Sequence, residues 1–287
     1  MQQEFIDTIL HKRNGDIEQH LAKAIDNGDV RNIYRAPEPR REQETPSQYA
    51  ARIMNEAATY QFVRVVWNGK NNFVAFRATG PLITPFGKFL LIPAEVVGGE
   101  WGTHYILIYP QLETLRAQSN ILLRIDSGCL SGQLFGDTTC DCREQFEDSK
   151  KACVENGSGM VINIPSHDGR GWGEFKMANQ RLMDELSLDT VEAARLFYGS
   201  DTLIDQRTYT EAALIVRALG FDERYAFSFA SNNPRKIGAF QALGMRVSNV
   251  RTVLPEPSNE VARKNVQAKM RKWRHGLHLS ALEEQGK

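Results

Sequence analysis

Three of the four cysteines in this 287-residue chain fall in one stretch, CLSGQLFGDTTCDC, as Cys129, Cys140 and Cys142. The pattern, ten residues between the first two and one between the last two, is neither a disulfide framework nor the paired C-x-x-C knuckles of a structural zinc module. Thiolates so spaced meet at one ion if the intervening loop folds back onto the C-x-C turn. Three protein ligands leave a tetrahedral zinc with one open position, where a bound water becomes nucleophilic near neutral pH. Spacing does not decide whether such an ion is catalytic. Cys153 follows on an expected helix and reads as a buried, inert thiol, not a fourth ligand.

Two other stretches carry groups that suit an anionic ligand. PSHDGRGWG, residues 165–173, links an expected strand to an expected helix; its glycines let backbone amides approach a ligand, and Asp168 and Arg170 offer contacts to a base and a phosphate. SNNPRK, residues 231–236, also joins strand to helix. There Ser231 and Asn232 are candidate caps, while Arg235 and Lys236 reach a phosphate or face solvent.

These groups need a scaffold, and the chain is long enough for one large domain or two modest ones. Lys plus Arg and Asp plus Glu both number 35, so no net positive field marks a nucleic-acid surface. No segment reaches the ~18 apolar residues of a membrane span, and the start lacks an apolar run of signal-peptide length. A cytoplasmic protein acting on a small molecule, with neither nucleic-acid nor membrane partner, is the expectation.

The pattern begins helical, with Asp16 capping IEQHLAKAID. A charged, proline-rich linker follows, then a second helix with Ser47 as its expected cap. From about residue 61 the texture is β: FVRVVW, FVAF, FGKFLLIP, HYILIYP and NILLRID. Beyond the cysteines, helices and strands alternate through REQFEDSKKACVENG, GMVINIP, GEFKMANQRLMDEL, TVEAARLF, TEAALIVRALG, YAFSFAS, PRKIGAFQALG and MRVSNVRTVL. The tail, NEVARKNVQAKMRKWRHGL, reads as a docked helix using Val261, Val266, Met270 and Trp273, with a solvated basic face. The class is α/β (mixed α+β).

RIDSGCLSGQLFGDTTCDCREQ resembles R-V-H-S-E-C-L-T-G-D-x-F-x-S-x-R-C-D-C-x-x-Q, the signature of the GTP cyclohydrolase II family. DGRG, DTVEA, DQRTY and SNNPRK then follow in the family's order, so the resemblance covers roughly the last 200 residues. It implies a catalytic domain over residues 76–287, with residues 1–75 as an N-terminal helical and β extension. It also implies an enzyme of riboflavin synthesis that opens the imidazole ring of GTP at C8, losing formate and releasing pyrophosphate. Zinc would be held by Cys129, Cys140 and Cys142, and Mg²⁺ would accompany the substrate triphosphate. Arg124, Ile125, Asp126, Ser127, Gly128, Gln145, Asp168, Gly169, Arg170, Thr190, Ser231 and Lys236 match nucleotide-binding positions. Asp205 matches the proton acceptor and Arg207 an arginine acting at the α-phosphorus, where stabilising phosphate charge suits an always-protonated guanidinium. A homodimer is implied as well.

The sequence departs from that pattern inside the expected site. Asp126 and Gly128 replace the histidine and glutamate of the R-V-H-S-E stretch, and Ser166-His167-Asp168 replaces R-Q-E. Counting from Gly169-Arg170 to Asp189-Thr190 puts Arg181 where the family has a catalytic tyrosine. An arginine donates protons and carries charge but does not accept a proton as a hydroxyl does. The departures leave a second expectation: a paralogue acting on another purine or pyrimidine nucleotide ring, or one that stops at the formylated, ring-opened intermediate. If Arg181 turns to solvent, Tyr209 or His167 is the alternative source of the missing group.

Overall fold

The computed structural model describes residues 17–199, 204–231, 233–251 and 259–273. Among them nine strands form one mixed sheet in the order β1-β2-β4-β5-β7-β6-β8-β9, with β3 pairing β4 alongside that path. The strands are β1 (Gln61–Trp67), β2 (Lys70–Phe76), β3 (Gly80–Thr84), β4 (Gly87–Val96), β5 (His104–Tyr109), β6 (Asn120–Asp126), β7 (Gly159–Asn163), β8 (Ala226–Ala230) and β9 (Arg246–Arg251). From β1 to β7 the neighbours are antiparallel; β7, β6, β8 and β9 run parallel. The mixed α/β class is therefore the observed one. The antiparallel β3, GPLIT, is the strand missing from the sequence expectation.

Alternation along each central strand divides the apolar residues between two faces. Ile121, Leu123 and Ile125 of β6, Ile106 and Ile108 of β5, and Met160 and Ile162 of β7 join the large core. On that face lie α7 (Thr210–Ala218) and α8 (Pro234–Ala242), through Leu214, Ile215, Ile237 and Phe240. Leu107, Leu122 and Val161 point the other way, onto Cys153 and Phe146 of α4 (Cys142–Glu155). Cys153 is buried, and burial raises its thiol pKa to about 12, as befits an inert core residue.

The N-terminal region is an edge of this same sheet. β2 pairs β4 through Val74, Ala75 and Phe76, so a boundary at residues 75 and 76 falls inside a strand. Helix α1 (Ile17–Asp26) covers the edge with Leu21 against Phe62 and Ala75; Asp16 lies outside the described residues. The linker is exposed over residues 38–43 but anchored at both ends. Tyr34 is buried, its hydroxyl 2.7 Å from Thr79 Oγ1, and Arg52 holds Glu44 and the carbonyls of Glu38 and Pro39. Helix α2 (Pro46–Ala58) is capped by Thr45 and not by Ser47. Thr45 and Gln48 form a reciprocal capping box, and Pro46 occupies the first turn, where its missing N–H costs nothing.

The remaining helices are α3 (Leu112–Arg116), α5 (Lys176–Leu186), α6 (Thr190–Tyr198) and α9 (Glu260–Trp273). Asp189 caps α6 with Glu192 closing the box, so the D-T-V-E stretch acts as a helix start. Among the described side chains of α9, Ala262, Asn265 and Ala268 are buried, whereas Val261 is 45% exposed and does not anchor the tail as expected; the side chain of Trp273 lies outside the described residues. The carboxyl ends of β6, β7 and β8 open side by side. The chain leaves β6 for β7 on one flank and later returns to β8 on the other. In open α/β sheets such a reversal of strand order creates the ligand crevice.

Candidate metal and anion site

The loops leaving those three strands, with α5, α6 and α9, line one pocket. Strand β6 supplies its base. Because β6 is central and buried, its charged residues must pair internally. Arg124 donates to the Ala230 carbonyl at 3.1 Å and to Gln145 Oε1 at 2.6 Å, and Gln145 in turn donates to Asp141 Oδ2. Asp126 Oδ2 accepts from Gly128 N, Gln133 Nε2 and Asn163 Nδ2 at 3.2, 2.7 and 2.7 Å. Those contacts hold the chain's exit from β6 in shape. At Gly128 φ is +50°, and a Cβ would stand 2.7 Å from the Ile164 carbonyl oxygen; the position admits glycine alone.

Cys129 then opens a single π-helical turn, Leu130–Leu134, and Cys140 and Cys142 return at the start of α4. The three Sγ atoms all lie within 4.8 Å of one another, and Cys129 and Cys140 are 3.8 Å apart. Two thiolates bound at ~2.3 Å to a tetrahedral ion stand about 3.8 Å apart, so that edge fits such an ion. Gly132 leaves the space beside them clear: a Cβ there would sit 2.9 Å from Cys140 Sγ and 3.2 Å from Cys129 Sγ. Its amide points at Cys129 Sγ from 3.4 Å.

Hydrogen bonds from Cys140 and Cys142, reinforced by Lys176, hold the Cys129 thiol pKa far below its ordinary value. Sharing with that thiolate raises Cys140 to about 11 and pushes Cys142 up too. Lys176 Nζ lies 2.9 Å from Cys129 Sγ, 2.5 Å from Ser131 Oγ and 3.4 Å from Asp168 Oδ1. Burial lowers the lysine's pKa, but Cys129 and Asp168 outweigh it and keep the ammonium charged. A divalent ion on three thiolates carries one net negative charge, which Lys176 offsets.

The same pocket is also lined by cations. Lys236 Nζ, buried, donates to the Ile125 carbonyl at 2.7 Å; burial, then Arg124 and Arg207, push its pKa well below the usual lysine value. Arg207 grips Asp205 in a two-bond fork of 2.8 and 2.7 Å. Burial raises the Asp205 pKa, but Arg207 and then Arg235 more than reverse that, bringing it down to about 2. Arg235 spends its donors on the carbonyls of Asp205 and Arg207 and so braces this loop instead of reaching a phosphate. Arg170, brought down to about 10 by burial and the charge of Arg207, donates to the Thr190 carbonyl and hydroxyl.

Most of the expected residues line this pocket: Arg124, Asp126, Ser127, Gly128, Gln145, Asp168, Gly169, Arg170, Thr190, Arg207, Ser231 and Lys236, with the three cysteines. Three stand elsewhere. Ile125 buries its side chain in the core and offers only its carbonyl. Asp205 sits behind Arg207 as its partner. Arg181 is the correction: its side chain is 79% exposed and pairs with Glu185, because that face of α5 turns outward. Asn179, Gln180 and Met183 are the α5 residues that face the pocket. Asn233, and not Ser231, caps α8 through Arg235 N, while Asn232 lies outside the described residues.

Several lining residues escape sequence reasoning. Lys176 precedes the expected helix interior with no motif of its own, and Asn265, Val266 and Met270 come from the tail helix. His167 lies edge-on to both Trp101 and Tyr209, at 4.5 and 5.2 Å between ring centroids. Burial, then the charges of Arg207 and Lys236, bring its pKa down to about 2, so it is a neutral ring. Tyr198 also lines the pocket, stacked on Trp172 at 4.3 Å.

Fold and site together define an α/β protein with a cluster of three thiols and a set of buried cations in one pocket at the carboxyl edge of its parallel strands. The sequence profile described as GTP cyclohydrolase II matches residues 77–252, and the chain belongs to that family. A relative named GTP cyclohydrolase-2, from Streptomyces coelicolor, is 35% identical over 178 residues, covering 62% of this chain and 75% of its own. The riboflavin biosynthesis protein RibBA of Parabacteroides distasonis is 32% identical over 199 residues, 69% of this chain and 46% of that one. In Aquifex aeolicus the protein of the same name is 34% identical over 139 residues, 48% of this chain and 32% of its own. The chain thus spans less than half the length of these RibBA relatives.

Proposed function

We propose that the chain is a zinc-dependent hydrolase that opens the imidazole ring of GTP, with loss of formate and release of pyrophosphate. One observation carries the reading: three mutually close sulfurs and a set of buried cations line the same pocket. The name of the Streptomyces relative supports the substrate, and the RibBA names support a place in riboflavin biosynthesis. Zinc suits a three-thiolate donor set, and when bound there it supplies the Lewis acidity that makes water nucleophilic near neutral pH.

The chain's own groups divide the remaining work. Lys236, Arg124, Arg170 and Arg207 receive the phosphates, which arrive with Mg²⁺. Asp205, kept as a carboxylate, locks the Arg207 guanidinium in one orientation, so stabilising charge on departing pyrophosphate needs no rearrangement. Asp168 meets the base edge, while Lys176 keeps Cys129 charged and restrains the Asp168 carboxylate. Neutral His167 walls the pocket without adding a positive charge beside Arg207. Leu130, Leu134 and Phe135, 56%, 67% and 74% exposed on the π-turn, support a homodimer that covers them. The cell compartment we assign is the cytoplasm.

A second reading, arrest at the formylated intermediate or action on another nucleotide ring, is favoured by Asp126, Gly128, His167 and Asp168, the departures from the family pattern that line the pocket. Zinc-loaded protein incubated with GTP and Mg²⁺, followed by mass spectrometry, tests both readings. Ring-opened product lacking one carbon, with equimolar formate and pyrophosphate, is expected. Formylated product establishes the arrest, and unchanged GTP overturns the assignment.

A further inference from the structure

We infer that the tail helix α9 and the residue that caps it are part of the metal centre: Asn259 and Asn265 are positioning residues that set the thiol of Cys140. The inference rests on the proposed metal reading. Residues 259–273 lie beyond the stretch that the family profile matches, yet Asn265, Val266 and Met270 line the pocket.

Asn259 Nδ2 donates to the Thr138 carbonyl at 2.6 Å, and Asn265 Nδ2 to the Thr139 carbonyl at 2.9 Å. The second bond reaches the peptide unit that ends at Cys140. Because that unit is planar, holding the Thr139 oxygen also holds Cys140 N and Cα, the point from which the thiol leaves the chain. Thr139 is gripped on its other sides as well. Its amide and hydroxyl both meet Asp137 Oδ1, at 2.9 and 2.7 Å, and Gln180 Nε2 reaches the hydroxyl at 2.9 Å.

The helix that supplies Asn265 is itself docked. Ala268 packs with Val191 and Ala194 of α6 and with Ile204, and Asn259 caps the helix by accepting from Ala262 N at 2.9 Å. Asn265 is only 6% exposed, and an amide buried against a loop in place of a small apolar residue is warranted by the bond it makes. Partners of this kind, one shell out from a ligand, set the ligand's orientation and typically change metal affinity by about 10–100-fold when removed.

The test uses the full chain with Asn265→Ala, Asn265→Asp and the double variant Asn259→Ala/Asn265→Ala. Zinc affinity is read by competition with a chromophoric chelator, and site geometry by the sulfur-to-cobalt charge-transfer band after Co²⁺ substitution. We expect zinc affinity to fall about 10–100-fold in the double variant and the cobalt band to weaken. Asn265→Asp, of equal size but without the donor, should match Asn265→Ala. In the metal-free proteins, the alkylation rate of Cys140, located by peptide mass mapping, should rise in the variants. An unchanged alkylation rate overturns the clamp whatever the metal result, as does wild-type zinc affinity in the double variant. If the unaltered chain takes up no zinc yet the variants still expose Cys140, the clamp stands and the metal reading falls. Circular dichroism of each variant confirms that the fold is retained; should the double variant unfold, the single variants carry the same readouts.

Discussion

The two walls of the pocket reach order by different means. On the cationic side every charge meets a partner supplied by the fold: Arg207 its carboxylate, Lys236 a strand carbonyl, Arg124 a carbonyl and an amide. On the sulfur side the thiols meet one another, with Lys176, the Gly132 amide and the Ser131 hydroxyl at Cys129 and the Asp137 carbonyl at Cys140. The cationic wall is preorganised by burial and pairing alone. The sulfur wall is a donor set with crowded charge, which the proposed zinc ion would complete.

The largest expected effect follows directly. Cys140→Ser should abolish stoichiometric zinc and, with it, turnover of GTP, while leaving GTP binding by the cationic wall measurable by calorimetry. Joint loss of zinc and nucleotide binding would erase the distinction between the walls.

Next in size is Asp205→Asn, which leaves the buried Arg207 charge without its fork; both side chains are nearly buried, 12% and 13% exposed. Breaking a buried pair from one side costs about 3–5 kcal/mol, to be read from urea unfolding. The Asp205 contribution has a defined acid limit. Its folded pKa, about 2, lies below the ordinary 3.8, so the stabilisation is complete above the ordinary value and fades as pH falls towards 2.

Smaller per pH unit, and spread over a milder pH range, is the effect of the buried histidines. Burial brings His104 down to about 4, and burial with Arg207 and Lys236 brings His167 to about 2. The unfolded chain takes up protons below about pH 6.5 that the folded chain refuses, so stability falls as pH falls from there. Each histidine steepens the loss by about 1.4 kcal/mol per pH unit, His104 only down to about pH 4. His167→Gln should flatten the slope by that amount, and an unaltered slope would place a charged ring in the pocket.

The smallest effect belongs to Arg181→Ala. An exposed pair with Glu185 is worth at most ~0.5 kcal/mol, and turnover should stay at the wild-type value. A marked loss of turnover would return Arg181 to the site.

Legibility in the sequence follows the same division. The cysteine trio and the strand-to-helix loops could be read because C-x-C turns and Gly-rich connections are local signals. Arg181 was misplaced because a gapless count gives a residue's position but not the rotation of its helix. A kinked loop, Pro165–Gly171, with Gly169 and Arg170 at φ +57° and +63°, and the 3-10 turn Gly173–Phe175 come before α5. Thr45 was overlooked in favour of Ser47 although T-P-S-Q carries both a capping box and a first-turn proline. The five-residue β3, with Gly80 and Pro81 at its start, is too short to show alternation. Lys176 and Asn265 had no sequence signal, since each acts across 47 and 126 residues of chain on a partner that only the tertiary fold brings near.

The central claim is that Cys129, Cys140 and Cys142 hold one zinc ion beside the cationic wall. X-ray absorption at the zinc edge of the metal-loaded chain tests it most directly. The account predicts one zinc per chain with three sulfurs at about 2.3 Å and a single lighter neighbour. Zinc surrounded by nitrogen and oxygen alone, or no stoichiometric zinc, would contradict it.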